Sequence, residues 1–165
     1  MARIAPVRRH VRTFNTAPID LMAKGSLCVA MMFSGDAMIA AQRATESGAG
    51  VRLRYLIPRG GAMMSVDVMA IPRDAPHPLN AHRWIDAMMD PATVARISNE
   101  TFYFSANADA LPLTSRALTD DPAINPSASV RDRLRPKPVL DKDVQRELTQ
   151  ALARFKAGRG GDAGR

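Results

Sequence analysis

Four side chains stand where they could hold a flexible organic cation: Phe33, Asp36, Asp67 and Tyr103. A carboxylate pairs with an ammonium group, and an aromatic face attracts the same charge through its quadrupole. If the four converge, they form a box with two anions and two aromatic walls, which suits such a cation. Each also has a plainer use. Asp36 follows an apolar run and could serve as a helix N-cap. Asp67 could be a solvent-facing position on an edge strand. Phe33 and Tyr103 could be ordinary core aromatics.

Asp67 raises the sharper question, because it lies inside GGAMMSVDVMAIP, Gly60 to Pro72. Alternation from Met63 to Ile71 puts Met64, Val66, Val68 and Ala70 on one face. Met63, Ser65, Asp67, Met69 and Ile71 share the other. A lone charge buried on such a strand costs several kcal/mol unless something pairs with it.

Other chemistry has little support. His10, His77 and His82 stand in a basic arm, a proline loop and a helix start, without a GxSxG turn or a metal-binding repeat nearby. All three are expected at the surface. Gly60-Gly61 is not followed by a P-loop lysine. No catalytic residue, metal ligand or cofactor is assigned. Cys28, the single cysteine, permits no internal disulfide and is expected as a small core residue in LCVAMMF.

The elements that must position these groups read as alternating helix and strand. APIDLMAKG is a short helix with Thr16 as N-cap, Pro18 in the first turn and Gly25 as its stop. SLCVAMMF follows as a continuous apolar strand of the kind buried on both faces. Ser34-Gly35 breaks it, and a helix runs from Asp36 to about Ser47. VRLRYLI is a half-buried strand, PRGG a turn, and the stretch containing Asp67 the next strand. After the loop RDAPHP comes a helix capped near Asn80 with Trp84, Ile85 and Met88 on its apolar stripe. Asp90-Pro91 starts another helix, and FYFSANADALPL is aromatic-rich and non-periodic. A short helix around Ser127 to Leu134 and an amphipathic final helix capped by Asp141 complete an α/β pattern.

The 165 residues, 46% of them apolar, suffice for one moderate core, and the terminal GRGGDAGR is expected as a disordered tail. The net charge of +7 and pI near 10.5 admit an anionic partner. The arginines are scattered, however, with no zinc spacing, recognition helix or RNP-like motif, so nucleic acid is an unfavoured partner. MARIAPVRRHVRTF places arginines where a signal peptide needs an apolar run.

At the candidate residues the sequence resembles a known family. LMAKGSLCVAMMFSGDAMIAAQRATESGAGVRLRYLIPRGGAMMSVDVMAIP, then MDPATVARISNETFYFSANADALPL and DDPAINPSASVRDRL, resembles the C-terminal half of bacterial putrescine/spermidine-binding proteins, the extracytoplasmic receptors of polyamine ABC transporters. The similarity runs from about Ile4 to Gly158, with the spacing from Asp36 through Asp67 to Tyr103 ungapped.

The resemblance implies a periplasmic-binding-protein-like type II fold, truncated to the second lobe plus part of the first. Residues 1–158 would be that C-terminal half, with about 62–89 belonging to the first lobe and 159–165 a tail. It implies a non-enzymatic periplasmic protein that grips putrescine or spermidine and delivers it to a membrane permease. Asp36 and Asp67 would pair with ammonium ends, and Tyr103 would pack on methylenes and offer its hydroxyl. Phe33 stands where the family has tryptophan, and Ser65 where putrescine receptors often carry an aromatic. Two other readings remain open: an orphan product of a broken gene that binds nothing, and a small basic nucleic-acid module.

Overall fold

The computed structural model describes residues 4–14 and 17–158. Thr16, expected to cap the first helix, and the expected tail 159–165 lie outside the described residues. The chain divides into two units, one spanning 18–137 and the other joining 1–17 with 138–165.

In the larger unit, α1 (Ile19–Ala23) ends as expected at Gly25. The Gly25 and Ser26 amides return to the carbonyls of Met22 (2.9 Å) and Leu21 (2.8 Å), which satisfies two carbonyls that a helix end otherwise orphans. Helix α2 (Ser34–Glu46) starts before the expected Asp36, with Phe33 in the N-cap position. It buries Gly35, Ala37, Ala40 and Ala44, and packs against α1, whose Ala23 is also buried. Small side chains at this spacing form one stripe and let the two backbones approach closely.

Helix α3 (Pro78–Met89) also starts before its expected cap, and it buries no residue completely. Trp84, expected on the apolar stripe, is exposed, whereas Ile85 and Met88 are half-buried. Helix α4 (Pro91–Thr101) begins where Asp90-Pro91 predicts: the Asp90 carboxylate accepts from the Thr93 amide at 2.9 Å. The Thr93 hydrogen bonds hold that carboxyl below its ordinary range. A 3-10 helix, Ala108–Leu113, follows within the non-periodic segment and packs on α4 through Val94, Ala95 and Ala110. Two single-turn helices, α5 (Arg116–Thr119) and α6 (Ala128–Arg131), come next. The second is shorter than the expected Ser127 to Leu134, and the first is not legible in the sequence.

The expected strands need correction. Among the described residues the only ladder is β1 (Met63–Met64) parallel to β2 (Arg135–Pro136), in the register Met63 to Arg135 and Met64 to Pro136. Gly61 makes this approach possible. Its φ is +93°, and a Cβ there would run into the Arg133 carbonyl. SLCVAMMF forms no ladder, and Val29 and Met31 are 85% and 98% exposed. Cys28, expected in the core, is an exposed free thiol for the same reason. VRLRYLI keeps its alternation, with Val51, Leu53, Tyr55 and Ile57 half-buried and Arg52, Arg54 and Leu56 exposed, but it too lacks a ladder. A strand buries its faces only when neighbours supply backbone partners and covering layers, and here they are missing. The arrangement is mixed helix and strand, with nearly all of its regular structure helical.

In the smaller unit, a 3-10 helix, Ala5–His10, meets the end of α7 (Lys142–Lys156). Arg8 serves the fold: its guanidinium donates to the carbonyls of Phe155 (2.9 Å) and Lys156 (2.8 Å). A cation there satisfies terminal carbonyls and complements the helix dipole. The same guanidinium lies 5.2 Å from the Phe14 ring centre, and Phe14 meets Phe155 edge-on at 5.9 Å. Asp141 holds the N-cap position of α7, but its side chain makes no cap hydrogen bond.

Among the described residues the buried apolar ones are mostly alanines, joined by Val94, Leu118 and Ile124, and no large side chain is fully buried. Burying one methyl-sized group contributes about 0.8 kcal/mol, against about 1–2 kcal/mol of backbone entropy per ordered residue. Such a core with Val68, Leu56 and Met31 exposed favours association. Purified protein should therefore elute above the 17.9 kDa expected of a monomer and bind a hydrophobic dye before heating. A monomeric peak with one sharp melting transition contradicts this.

Candidate functional site

The larger unit brings Asp36 and Tyr103 together. Asp36 is the third residue of α2, where a carboxylate is stabilised by the helix N-terminal dipole, and it is not the cap. Tyr103 directly follows Phe102, whose left-handed backbone (φ 59°) ends α4 and turns the chain back. The Tyr103 hydroxyl donates to Asp36 Oδ1 at 2.7 Å. Its ring lies over the first turn of α2, so close to Gly35 that a Cβ there would stand 2.5 Å from the ring edge.

This environment pushes the Tyr103 phenol up to about 12. Burial of the phenol is the first cause, then the hydrogen bond to Asp36 and its negative charge, with the Asp67 charge adding to them. Asp67 is thus near enough for its field to reach Tyr103. Ser65 and Asp67 lie on the exposed stretch after β1. Asp67 forms no ion pair among the described residues. The question of a buried charge on an apolar strand dissolves: this stretch is open to water, so Asp67 is solvated.

Phe33 projects from the N-cap position of α2 and is 56% exposed, and Tyr103 is 40% exposed, so neither is a core aromatic. Among the described residues the one close ring pair is Phe14 with Phe155, so Phe33 and Tyr103 do not stack. The described geometry therefore holds one anion–phenol pair with a second carboxylate nearby and a separate exposed ring. Asp36 Oδ1 is engaged by the phenol, and its other oxygen can still accept from a cation. Nothing comparable exists for a metal: among the described residues no three His, Cys, Asp or Glu side chains gather as ligands. No described helix is long and apolar enough to cross a membrane.

Two features escaped the sequence reading. Gly35 was legible only as a break, although a glycine beside the candidate carboxylate could have signalled a close approach. A cavity of about 370 Å³ is lined by Met38, Ala41, Tyr55, Asp121 and Val130 among others. The alternation of VRLRYLI did not signal it, since Leu53, Arg54, Tyr55, Leu56 and Ile57, from both faces, all line its wall.

Comparison with known proteins gives the family of the chain that carries this pair. The model for bacterial extracellular solute-binding proteins matches residues 2–126, and the chain belongs to that family. It is 36% identical over 154 residues to the putrescine-binding periplasmic protein PotF of Escherichia coli, covering 93% of this chain. It is 35% identical over 154 residues to the putrescine-binding periplasmic protein SpuD and 33% identical over 153 residues to a putrescine/agmatine-binding protein, both of Pseudomonas aeruginosa. These alignments cover 93% and 92% of this chain. The chain spans 42% of the length of each of the three relatives. All three are named for binding a solute and not for catalysis.

The raised Tyr103 phenol makes stability depend on pH at the alkaline end. With a folded value of about 12 and an unfolded value of about 10, the unfolded chain loses the proton first. Stability from this group is then full below about pH 10 and is lost as pH rises through about 12. Denaturant midpoints measured across that window should fall more steeply for the native sequence than for Tyr103→Phe. Parallel slopes would show that the phenol is not perturbed.

Proposed function

We propose that the chain is part of a periplasmic receptor for a linear polyamine, of putrescine type, serving as the substrate-binding component of an ABC transporter with a membrane permease as its partner. The single observation that carries this reading is the Asp36–Tyr103 pair at 2.7 Å with the Asp67 charge beside it, in a chain of the solute-binding family. The names of the putrescine-binding relatives support the ligand class.

In this reading Asp36 takes one ammonium through its unengaged oxygen, Asp67 takes the other, and Ser65 supplies a hydroxyl beside it. Phe33 and the Tyr103 ring flank the methylenes. The lobes are of type II, residues 1–158 form the C-terminal half, and about 62–89 belong to the first lobe. The cleft closes only when the rest of a first lobe is present. The exposure of Val29, Met31 and Val68 agrees with faces that such a lobe or its sheet would cover.

A second reading, an incompletely folding product that binds nothing, is favoured by the alanine-rich core. One titration separates the two. Exposed ion pairs are worth about 0–1 kcal/mol each, so the chain alone should bind putrescine no tighter than about millimolar. Titration followed by NMR should show saturable shifts at Tyr103, and Asp36→Asn or Asp67→Asn should each weaken them about threefold to fivefold. Absence of saturation up to tens of millimolar, or insensitivity to both substitutions, rejects the polyamine reading.

A further inference from the structure

We propose that Gly35 is a positioning residue: its missing side chain lets the Tyr103 ring lie across the first turn of α2, and this places the hydroxyl on Asp36 Oδ1. The inference deepens the reading above, since it concerns the same site, but its geometry stands without any ligand.

Gly35 lies inside α2 and is buried. Its backbone is not in the left-handed region that calls for glycine, unlike Gly25, Gly48, Gly50, Gly61 and Gly158. Glycine is also a poor helix former, so neither conformation nor propensity accounts for it. Space does. A Cβ at position 35 would stand 2.5 Å from Tyr103 Cε2 and 2.7 Å from both Cδ2 and Cζ. Three atoms of one rigid ring would be struck together, and no rotation about the ring axis clears them. The ring has to shift, and the hydroxyl it carries shifts with it.

The hydrogen bond does something specific for the carboxylate. Asp36 has two oxygens and a rotatable side chain at a helix start. The phenol fixes one oxygen, so the other is presented in one direction. The link joins residues 67 apart in sequence and binds α2 to the segment after α4. Gly35 acts on a ligand only through Tyr103 and Asp36.

The phenol titration tests this directly. Tyr55 and Tyr103 are the two tyrosines, so a Tyr55→Phe background leaves Tyr103 as the reporter. In that background the phenol should titrate near 12, Gly35→Ala should bring it toward about 10, and Asp36→Asn, which leaves the burial in place, should lower it by less. Alanine is the better helix former, so far-ultraviolet circular dichroism should show the helices kept. A phenol that still titrates near 12 in folded Gly35→Ala overturns the inference. If Gly35→Ala does not fold, Gly35→Ala with Tyr103→Ala decides the matter. Recovery of the fold shows that the ring was the obstacle, and failure to recover overturns the inference. On putrescine, Gly35→Ala should weaken binding about threefold, and adding Tyr103→Phe should weaken it no further. Independent losses would mean that the two residues act separately, against the inference. Absence of putrescine binding by the native sequence rejects the polyamine reading and leaves the phenol result to stand or fall by itself.

Discussion

A peptide group in an extended segment has no hydrogen-bond partner within its own stretch, so it depends on a neighbour or on water. The rest of this structure follows from that dependence. Helices close their backbone bonds locally, and all the longer helices expected from the sequence form. The extended segments need each other, and among the described residues only Met63–Met64 and Arg135–Pro136 pair. The departures in the extended segments, such as the exposed Cys28, Val29 and Met31, are consequences of unpaired strands.

The same constraint shapes the core. Without a sheet to cover, α2 buries a stripe of alanines against α1, and α4 buries Val94 and Ala95 beside Ala110. Helix contacts of this kind fix geometry well because small side chains permit close approach. They bury little apolar area, and so they supply little of the hydrophobic term. Many large side chains of SLCVAMMF and MMSVDVMAI, which would supply it, are exposed instead, among them Val29, Met31, Met63, Val66, Val68 and Met69.

Across this thin core the Asp36–Tyr103 hydrogen bond is a long-range polar tie, with a charged acceptor and a partly buried donor. Bonds to a charged group exceed neutral ones because the acceptor is stronger, and partial burial reduces competition from water. The candidate site and the packing of the larger unit therefore share one contact.

By itself the sequence determined what short-range chemistry determines. Asp90-Pro91 starts α4 because a cap and a proline act within one turn, and Gly25 stops α1 for the same reason. The three histidines are exposed as expected. The resemblance carried by the ordered motifs agrees with the family the chain belongs to. Tertiary structure alone decided the rest. Alternation in VRLRYLI was legible and persists as alternating burial, yet no local signal says whether a partner strand is available. Tyr103 reaches Asp36 across 67 residues because a left-handed Phe102 turns the chain and Gly35 leaves room for the ring. Contacts at that separation depend on where two elements meet in space, and spacing along a chain does not encode where they meet.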